Sequence, residues 1–164
     1  MASLHERPAA ELTVDLATMM PLIRHCLANG QSVRIYPRGT SMLPMLVEGR
    51  DSVLLSPLPK KLKKYDLPLY QRPNGQFVLH RVVRVEEAYT CLGDNQFTLE
   101  PGVTHDQMIA VVTAFCRKGR EHKVTDLSYR FYRSFWFHSR HIRCLWRKGI
   151  GLIARLVKRV KHKK

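Results

Sequence analysis

The chain of 164 residues is long enough for one domain with an appendage, and its content of 45% hydrophobic residues excludes a disordered protein. The formal net charge of +15 is concentrated: residues 1–115 hold 12 Lys/Arg and 11 Asp/Glu, whereas residues 116–164 hold 16 and 2. The basic character therefore belongs to the last third of the chain.

One helix is predicted at the start of the chain. Apolar residues recur at steps of three and four from about residue 11 to residue 27, and Asn29-Gly30 supplies a C-cap. Residues 1–30 are therefore predicted to form a helical segment. Glu6, Glu11 and Asp15 lie where a signal peptide would have a basic start followed by an apolar run. No stretch of the chain reaches 18 consecutive apolar residues. The sequence predicts neither a signal peptide nor a membrane-spanning helix.

Short β-type runs follow, and they predict a mainly β domain over residues 31–116. The runs are residues 32–36, 52–55, 67–71, 77–85, 89–92 and 108–115. Pro68 indicates that the third run is an edge or irregular strand, and Pro73-Asn74-Gly75 predicts a hairpin turn. Residues 77–85 are predicted as one strand, with His80 in its middle. Residues 117–126 are predicted to be a polar linker, and residues 127–164 a basic, aromatic tail.

The four cysteines are scattered along the chain: Cys26, Cys91, Cys116 and Cys144. They form no CxxC motif and lack a histidine at metal-ligand spacing. This pattern argues against a disulfide framework and favours packing roles or a reducing compartment. The sequence therefore predicts no metal and no cofactor.

Three short segments carry residues suited to catalysis. They are Gly39-Thr40-Ser41-Met42-Leu43-Pro44 with Gly49-Arg50-Asp51 after it, Val78-Leu79-His80-Arg81-Val82-Val83, and Gly93-Asp94-Asn95-Gln96 with Glu100 shortly after. A serine hydroxyl attacks a carbonyl only when a base removes its proton and donors hold the oxyanion. Ser41 is the candidate nucleophile and His80 the candidate base. Asp94 and Glu100 both remain candidates for the carboxylate that orients the histidine.

These segments, in this order and at these gaps, resemble the type I signal peptidase family over roughly residues 33–115. The histidine is typical of the archaeal and endoplasmic-reticulum branch, whereas the common bacterial branch and the LexA-type self-cleaving repressors use a lysine. The resemblance implies an α+β, mainly β fold with a coiled β-barrel core. It also implies that Ser41 is the nucleophile and His80 the general base. Glu100 lies where the family has its acidic partner, and Asp94 lies in the Gly-Asp-Asn motif.

The resemblance further implies a serine endopeptidase that cleaves exported peptides or preproteins after small residues, near a membrane. The backbone N–H of Ser41 and the hydroxyl of Thr40 are the candidate oxyanion donors. An extended peptide is expected to add a strand to an exposed sheet edge. Two alternatives stay open: an inactive membrane-surface module on a peptidase-like fold, and a self-cleaving regulator of the LexA type.

The basic tail suits an anionic membrane surface. Placed on a helix, residues 142–161 separate an apolar face from a basic one. The candidate membrane contacts are Trp136, Trp146, Arg147, Lys148, Lys158 and Arg159. Nucleic acid is the less favoured partner, because the apolar stripe would have no role there. The positive charge favours peripheral attachment at the cytoplasmic face, although signal peptidases act on the other one.

Overall fold

The computed structural model describes residues 15–140 and 142–145, which form an α+β chain made mainly of strands. The helices and strands are α1 (Leu16–Ala28), β1 (Val33–Ile35), β2 (Ser52–Ser56), β3 (Pro68–Gln71), β4 (Phe77–Leu79), β5 (Arg81–Val85), β6 (Tyr89–Leu92), β7 (Glu100–Val103), a 3₁₀ turn (His105–Gln107), β8 (Met108–Arg117), β9 (Arg120–Lys123) and α2 (Leu127–His138). The predicted class is therefore confirmed at this level.

Helix α1 packs one apolar face onto the first sheet, with Met20, Ile23 and Leu27 buried. The helix ends in a Schellman arrangement: the N–H of Gly30 donates to Leu27 at 3.0 Å and that of Gln31 donates to Cys26 at 3.0 Å. Gly30 has a φ of 75°, which a residue without Cβ adopts at no steric cost. The predicted C-cap is thus present, whereas the predicted start at residue 11 lies outside the described residues.

The first sheet has the strand order β1-β2-β8-β3-β4, and β9 also pairs with β8. Strand β3 lies between β8 and β4, so it is not an edge strand, but its register with β8 shifts between Leu69 and Tyr70, which agrees with the predicted alternative of an irregular strand. Pro68 is tolerated there because it is the first residue of the strand. The predicted turn at Pro73-Asn74-Gly75 joins β3 to β4 and leaves β4 on one edge of the sheet.

The second sheet has the order β5-β6-β7, and the predicted strand over residues 77–85 is divided between the two sheets. Strand β4 pairs with β3, whereas β5 pairs with β6. His80 is the residue between them, so it does not lie within a strand as predicted. The coiled barrel is also corrected: within the described residues, β1 and β4 remain open edges and no closed barrel forms. A second apolar core lies between the sheets.

The prediction that residues 117–126 form a linker was wrong, because residues 117–123 belong to a β-hairpin. Strand β8 runs on to Arg117, and β9 pairs back onto it. Lys118 and Gly119 turn the chain with φ values of 53° and 76°, as a two-residue hairpin requires. The polar composition fits an edge strand whose residues are mostly exposed.

Helix α2 packs back onto the β domain instead of leaving it. Tyr129 is 5% exposed, and its ring centroid lies 5.0 Å from that of Phe115. The predicted basic tail therefore begins as part of the folded domain, whereas residues 146–164 lie outside the described residues. None of the helices in residues 15–140 and 142–145 has the length and apolar character needed to cross a bilayer.

Candidate active site

Ser41 stands in a tight loop whose neighbours are anchored in the core. Met42, Met45 and Leu46 are at most 4% exposed. The Glu48 carboxylate accepts a hydrogen bond from the N–H of Gly39 at 2.8 Å, and the Leu43–Pro44 peptide is cis. These contacts restrain the loop, and Ser41 itself is half-buried within it.

Asp51 closes the base of this loop. Its buried carboxylate accepts hydrogen bonds from the N–H of Val47, from the Arg50 guanidinium and from the N–H of Lys118, all between 2.7 and 3.1 Å. Burial alone would raise the pKa of Asp51, but these donors outweigh it and lower the pKa to about 2. Asp51 is therefore ionised at neutral pH and fixes the Ser41 loop to the β8–β9 turn.

The Gly93–Gln96 segment holds the Ser41 loop from the other side. The N–H of Asn95 donates to the Ser41 carbonyl at 2.8 Å, and its side-chain amide donates to the Thr40 carbonyl at 3.1 Å. In a trans peptide the carbonyl and the next N–H point in opposite directions. The N–H of Ser41 is therefore turned away from Asn95, and within the described residues it has no acceptor. It is a fixed donor available to an oxyanion.

His80 is 2% exposed and lies between Glu100 and the Ser41 loop. Its Nδ1 is 3.1 Å from Oε1 of Glu100. Gly93 lies against the other ring nitrogen: a Cβ added there would be 3.0 Å from Nε2 of His80 and 2.8 Å from the Ser41 carbonyl oxygen. One nitrogen thus faces the carboxylate and the other faces Gly93, beside the Ser41 loop, and both His80 and Ser41 line one cleft.

Glu100 is held by two further side chains. The Tyr70 hydroxyl donates to Oε2 at 2.7 Å, and the Arg72 guanidinium binds both carboxylate oxygens. Burial raises the pKa of Glu100, but the hydrogen bonds from Arg72 and Tyr70 and the nearby charges lower it overall. The carboxylate is thus ionised and oriented beside His80.

Asp94, the other candidate for orienting His80, has a different partner. Its carboxylate binds Arg81 through two hydrogen bonds of 2.8 and 2.7 Å, and both side chains are almost fully buried. Arg81 also donates to the Tyr129 hydroxyl at 2.8 Å. Of the two carboxylates, the structure brings Glu100 and not Asp94 to His80. Asp94 ties the Gly93–Gln96 segment to β5 and α2.

Four residues of this site were not singled out from the sequence: Tyr70, Arg72, Arg81 and Gly93. Arg81 offered a signal, because an arginine in a Val-rich strand needs a buried acid partner. Tyr70 and Arg72 offered none, since they reach from the β3–β4 hairpin to Glu100 on β7 of the other sheet. Gly93 appeared in the sequence only as part of a motif. Its role follows from the structure, which leaves no space for a side chain between the Ser41 loop and His80.

The site opens into a cleft of about 390 Å³. The cleft is lined by Thr40, Ser41 and His80 together with β4, Arg38 and Gln96. Strand β4 is an edge of its sheet and leads directly into His80. An extended chain lying along this edge would therefore run towards Ser41.

Trp136, predicted as a membrane contact, is turned inward. Its indole N–H donates to the Asp94 carbonyl at 2.7 Å, and its ring is stacked on Tyr132 and covered by Arg143. The indole points inward because Tyr129, Tyr132 and Trp136 follow one another at steps of three and four and therefore share the side of α2 that packs on the domain. The other predicted contacts, Trp146, Arg147, Lys148, Lys158 and Arg159, lie outside the described residues.

The acylation of Ser41 is expected to slow at acidic pH. Burial lowers the pKa of His80 below its ordinary value of about 6.5, and Glu100 offsets only part of this effect. Only the neutral imidazole accepts a proton, so the rate should be constant above about pH 7 and fall through a midpoint below about 6.5. Folding stability should decline over the same range, because the unfolded chain takes up this proton at a higher pH. A rate that still rises above about pH 8 would contradict His80 as the limiting base.

Removing the charge of Glu100 should damage catalysis more than removing that of Asp94. Glu100→Gln takes away the anion that stabilises the imidazolium, and we expect the acylation rate constant to fall roughly 10³-fold. Asp94→Asn weakens the pair with Arg81 and should lower the melting temperature, while folded molecules keep most of their activity. Stopped-flow acylation and thermal melts of both variants measure the contrast. The opposite order would assign the orienting role to Asp94.

Within the described part of the chain, no group of three or more His, Cys, Asp or Glu side chains is placed to hold a metal ion. Comparisons of the chain with protein-family models, with curated proteins and with solved structures gave no match.

Proposed function

We propose that the protein is a serine endopeptidase of the signal-peptidase-like type, with Ser41 as nucleophile, His80 as base and Glu100 as the orienting carboxylate. The observation that carries this proposal is the position of the His80 ring. Its Nδ1 lies 3.1 Å from Glu100, while its Nε2 and the Ser41 carbonyl lie so close to Gly93 that a Cβ there would meet both. The assignment to this family is part of the proposal. In the described residues the chain forms two open sheets instead of the barrel that the resemblance implied.

The reaction would proceed in two steps. His80 takes the proton of the Ser41 hydroxyl while Oγ attacks the peptide carbonyl, and the tetrahedral intermediate then expels the amine, which receives that proton. His80 next takes a proton from water, whose oxygen attacks the acyl-enzyme. The bond between the acyl carbon and Oγ of Ser41 then breaks, His80 returns the proton to Oγ, and the new carboxyl terminus is released. Glu100 stabilises the imidazolium in both steps and stays ionised throughout.

The oxyanion would be stabilised by the Ser41 N–H. Asn95 fixes the Thr40–Ser41 peptide through the Thr40 carbonyl, so this donor needs no rearrangement when charge develops. Thr40 lines the same cleft and supplies the second candidate donor, its hydroxyl.

The substrate would be an extended peptide or preprotein segment. The open edge of β4 offers backbone groups for strand addition, and the cleft beside it leads to Ser41. Exported peptides with small residues before the scissile bond remain the proposed class.

The chain would work at the surface of an anionic membrane, as a peripheral protein on the cytoplasmic face. The sequence beyond the described residues supports this proposal, since residues 146–164 contain eight Lys/Arg and no Asp or Glu. Trp136 is no longer part of the proposed contact, because its indole is engaged with Asp94.

The proposal is tested by incubating the full chain with a diverse peptide library and mapping new termini by mass spectrometry. We expect cleavage by the wild type and none by Ser41→Ala. Thr98→Ala, which also removes an exposed hydroxyl but lies outside the cleft, serves as the matched control and should cut normally. A wild type that produces no more new termini than Ser41→Ala would refute the endopeptidase.

A further inference from the structure

Helix α2 exposes an apolar stripe that the fold does not use. Leu127, Phe131 and Phe135 follow one another at steps of four, so they share one side of the helix. They are 67%, 75% and 71% exposed, whereas Tyr129 on the inward side is 5% exposed. Further along the chain, Ile142 and Leu145 are 71% and 70% exposed. Adjacent large apolar side chains in water mark a site of interaction.

A basic depression of about 660 Å³ lies directly beside α2. Its lining includes Lys61, Lys63, Lys64 and Arg84, and Phe137 of α2 forms part of its wall. The ammonium of Lys64 is 5.3 Å from the centroid of the Phe137 ring. Phe137 lies on one flank of α2, while the apolar stripe covers the outward side and the other flank, so a plane laid on the half of α2 that faces away from Tyr129 meets both the depression and the stripe. The depression shares no lining residue with the cleft at Ser41.

The positive charge of this surface is largely uncompensated. In residues 15–140 and 142–145, the ion pairs include one with Arg84, to Glu86 at 3.7 Å, but none with the three lysines. The nearby carboxylate of Asp66 is engaged by the N–H of Lys63.

We propose that this surface binds an anionic phospholipid bilayer. We call it the docking face, and its members are Leu127, Phe131 and Phe135 with Lys61, Lys63, Lys64 and Arg84. The cations contact the lipid phosphates, while Phe131 and Phe135 enter the boundary between headgroups and acyl chains. The docking face belongs to the folded domain and adds a contact to the one proposed for residues 146–164.

Other occupants fit the docking face less well. A nucleic acid would pair its phosphates with the cations but would leave the two exposed phenylalanines in water. A second copy of the chain would bring two strongly basic surfaces together, and their repulsion opposes association. A bilayer satisfies both the charge and the apolar stripe.

The test is flotation of the full chain with vesicles of phosphatidylcholine, alone or mixed with phosphatidylglycerol. We expect flotation with the mixed vesicles only. Phe131→Ser/Phe135→Ser and Lys61→Gln/Lys63→Gln should each weaken partitioning by roughly tenfold or more. All four side chains are exposed, so the variants should melt like the wild type.

Matched controls use other elements. Leu22→Ser removes an exposed apolar side chain from α1, and Arg24→Gln/Arg120→Gln removes two exposed cations; both should float like the wild type. Ser41→Ala should also float normally, which separates this inference from the proposed peptidase activity. Unchanged flotation of the docking-face variants would overturn the proposal. Displacement of vesicles by duplex DNA, with no effect of the phenylalanine substitutions, would overturn it in favour of nucleic acid.

Discussion

Gly93→Ala is expected to reduce the acylation rate at Ser41 by at least roughly 100-fold, although only one methyl group is added. The new Cβ would lie 2.8 Å from the Ser41 carbonyl oxygen, 3.0 Å from Nε2 of His80 and 3.1 Å from the side chain of Gln96. The first of these neighbours is backbone and the second is buried, so neither can move aside without altering the site. The methyl group should therefore push the Ser41 loop away from the histidine.

The matched control is Gly30→Ala at the C-terminal end of α1. Gly30 has a φ of 75° and open space around it, so an alanine there costs about 1–2 kcal/mol of backbone strain without touching the site. Gly30→Ala should thus lower the melting temperature and keep the acylation rate, whereas Gly93→Ala should lose the rate at a temperature where it is folded. Equal acylation rates in the two variants would show that Gly93 does not separate Ser41 from His80.

Arg81→Met should destabilise the folded protein by about 3–5 kcal/mol, because it leaves the Asp94 carboxylate buried without its charge partner. The substitution also removes the hydrogen bonds that Arg81 donates to the Tyr129 hydroxyl and the Tyr65 carbonyl. The substitution therefore loosens α2 and the Gly93–Gln96 segment together. Urea unfolding followed by circular dichroism measures the loss.

Arg84→Met, on the same strand, is the matched control. Arg84 is 65% exposed and lies 3.7 Å from Glu86, so its substitution should change the free energy of unfolding by less than about 1 kcal/mol. Arg81→Met/Asp94→Leu removes both buried charges and should recover part of the loss. If Arg81→Met proves as mild as Arg84→Met, the buried pair does not hold the domain together.

The local elements of the fold could be read from the sequence because their signals are local. The end of α1 at Asn29-Gly30 and the hairpin at Pro73-Asn74-Gly75 both follow from short patterns. The division of residues 77–85 at His80 could not be read, since a continuous Val-rich run does not reveal which sheet each half joins. The fold of residues 117–123 was missed because a short edge strand can be as polar as a linker.

The candidate site was predictable as a set of residues but not as a network. Glu100 and Asp94 stand at similar distances along the chain from His80, and chemistry alone left both open. The choice depends on long-range contacts: Arg81 engages Asp94, while Tyr70 and Arg72 hold Glu100 beside the imidazole. The inward orientation of Trp136 likewise depends on the distant Asp94 carbonyl.

Tyr65 has a backbone conformation that the sequence did not predict. Its φ of 77° is one that glycine would adopt without strain. Its ring centroid lies 5.7 Å from that of Phe137, and Arg133 lies over it. The unfavourable backbone conformation of Tyr65 is thus offset by the contact of its ring with helix α2.

The central claim is that His80, oriented by Glu100, activates the hydroxyl of Ser41. Its most direct test is the reaction of the full chain with a β-lactam acylating probe at neutral pH, followed by mass spectrometry of the peptide that contains Ser41. We expect the wild type to gain the mass of the opened probe on Ser41, and His80→Gln and Ser41→Ala to gain none. An unlabelled wild type, or equal labelling of Ser41 in the wild type and in His80→Gln, would contradict the claim.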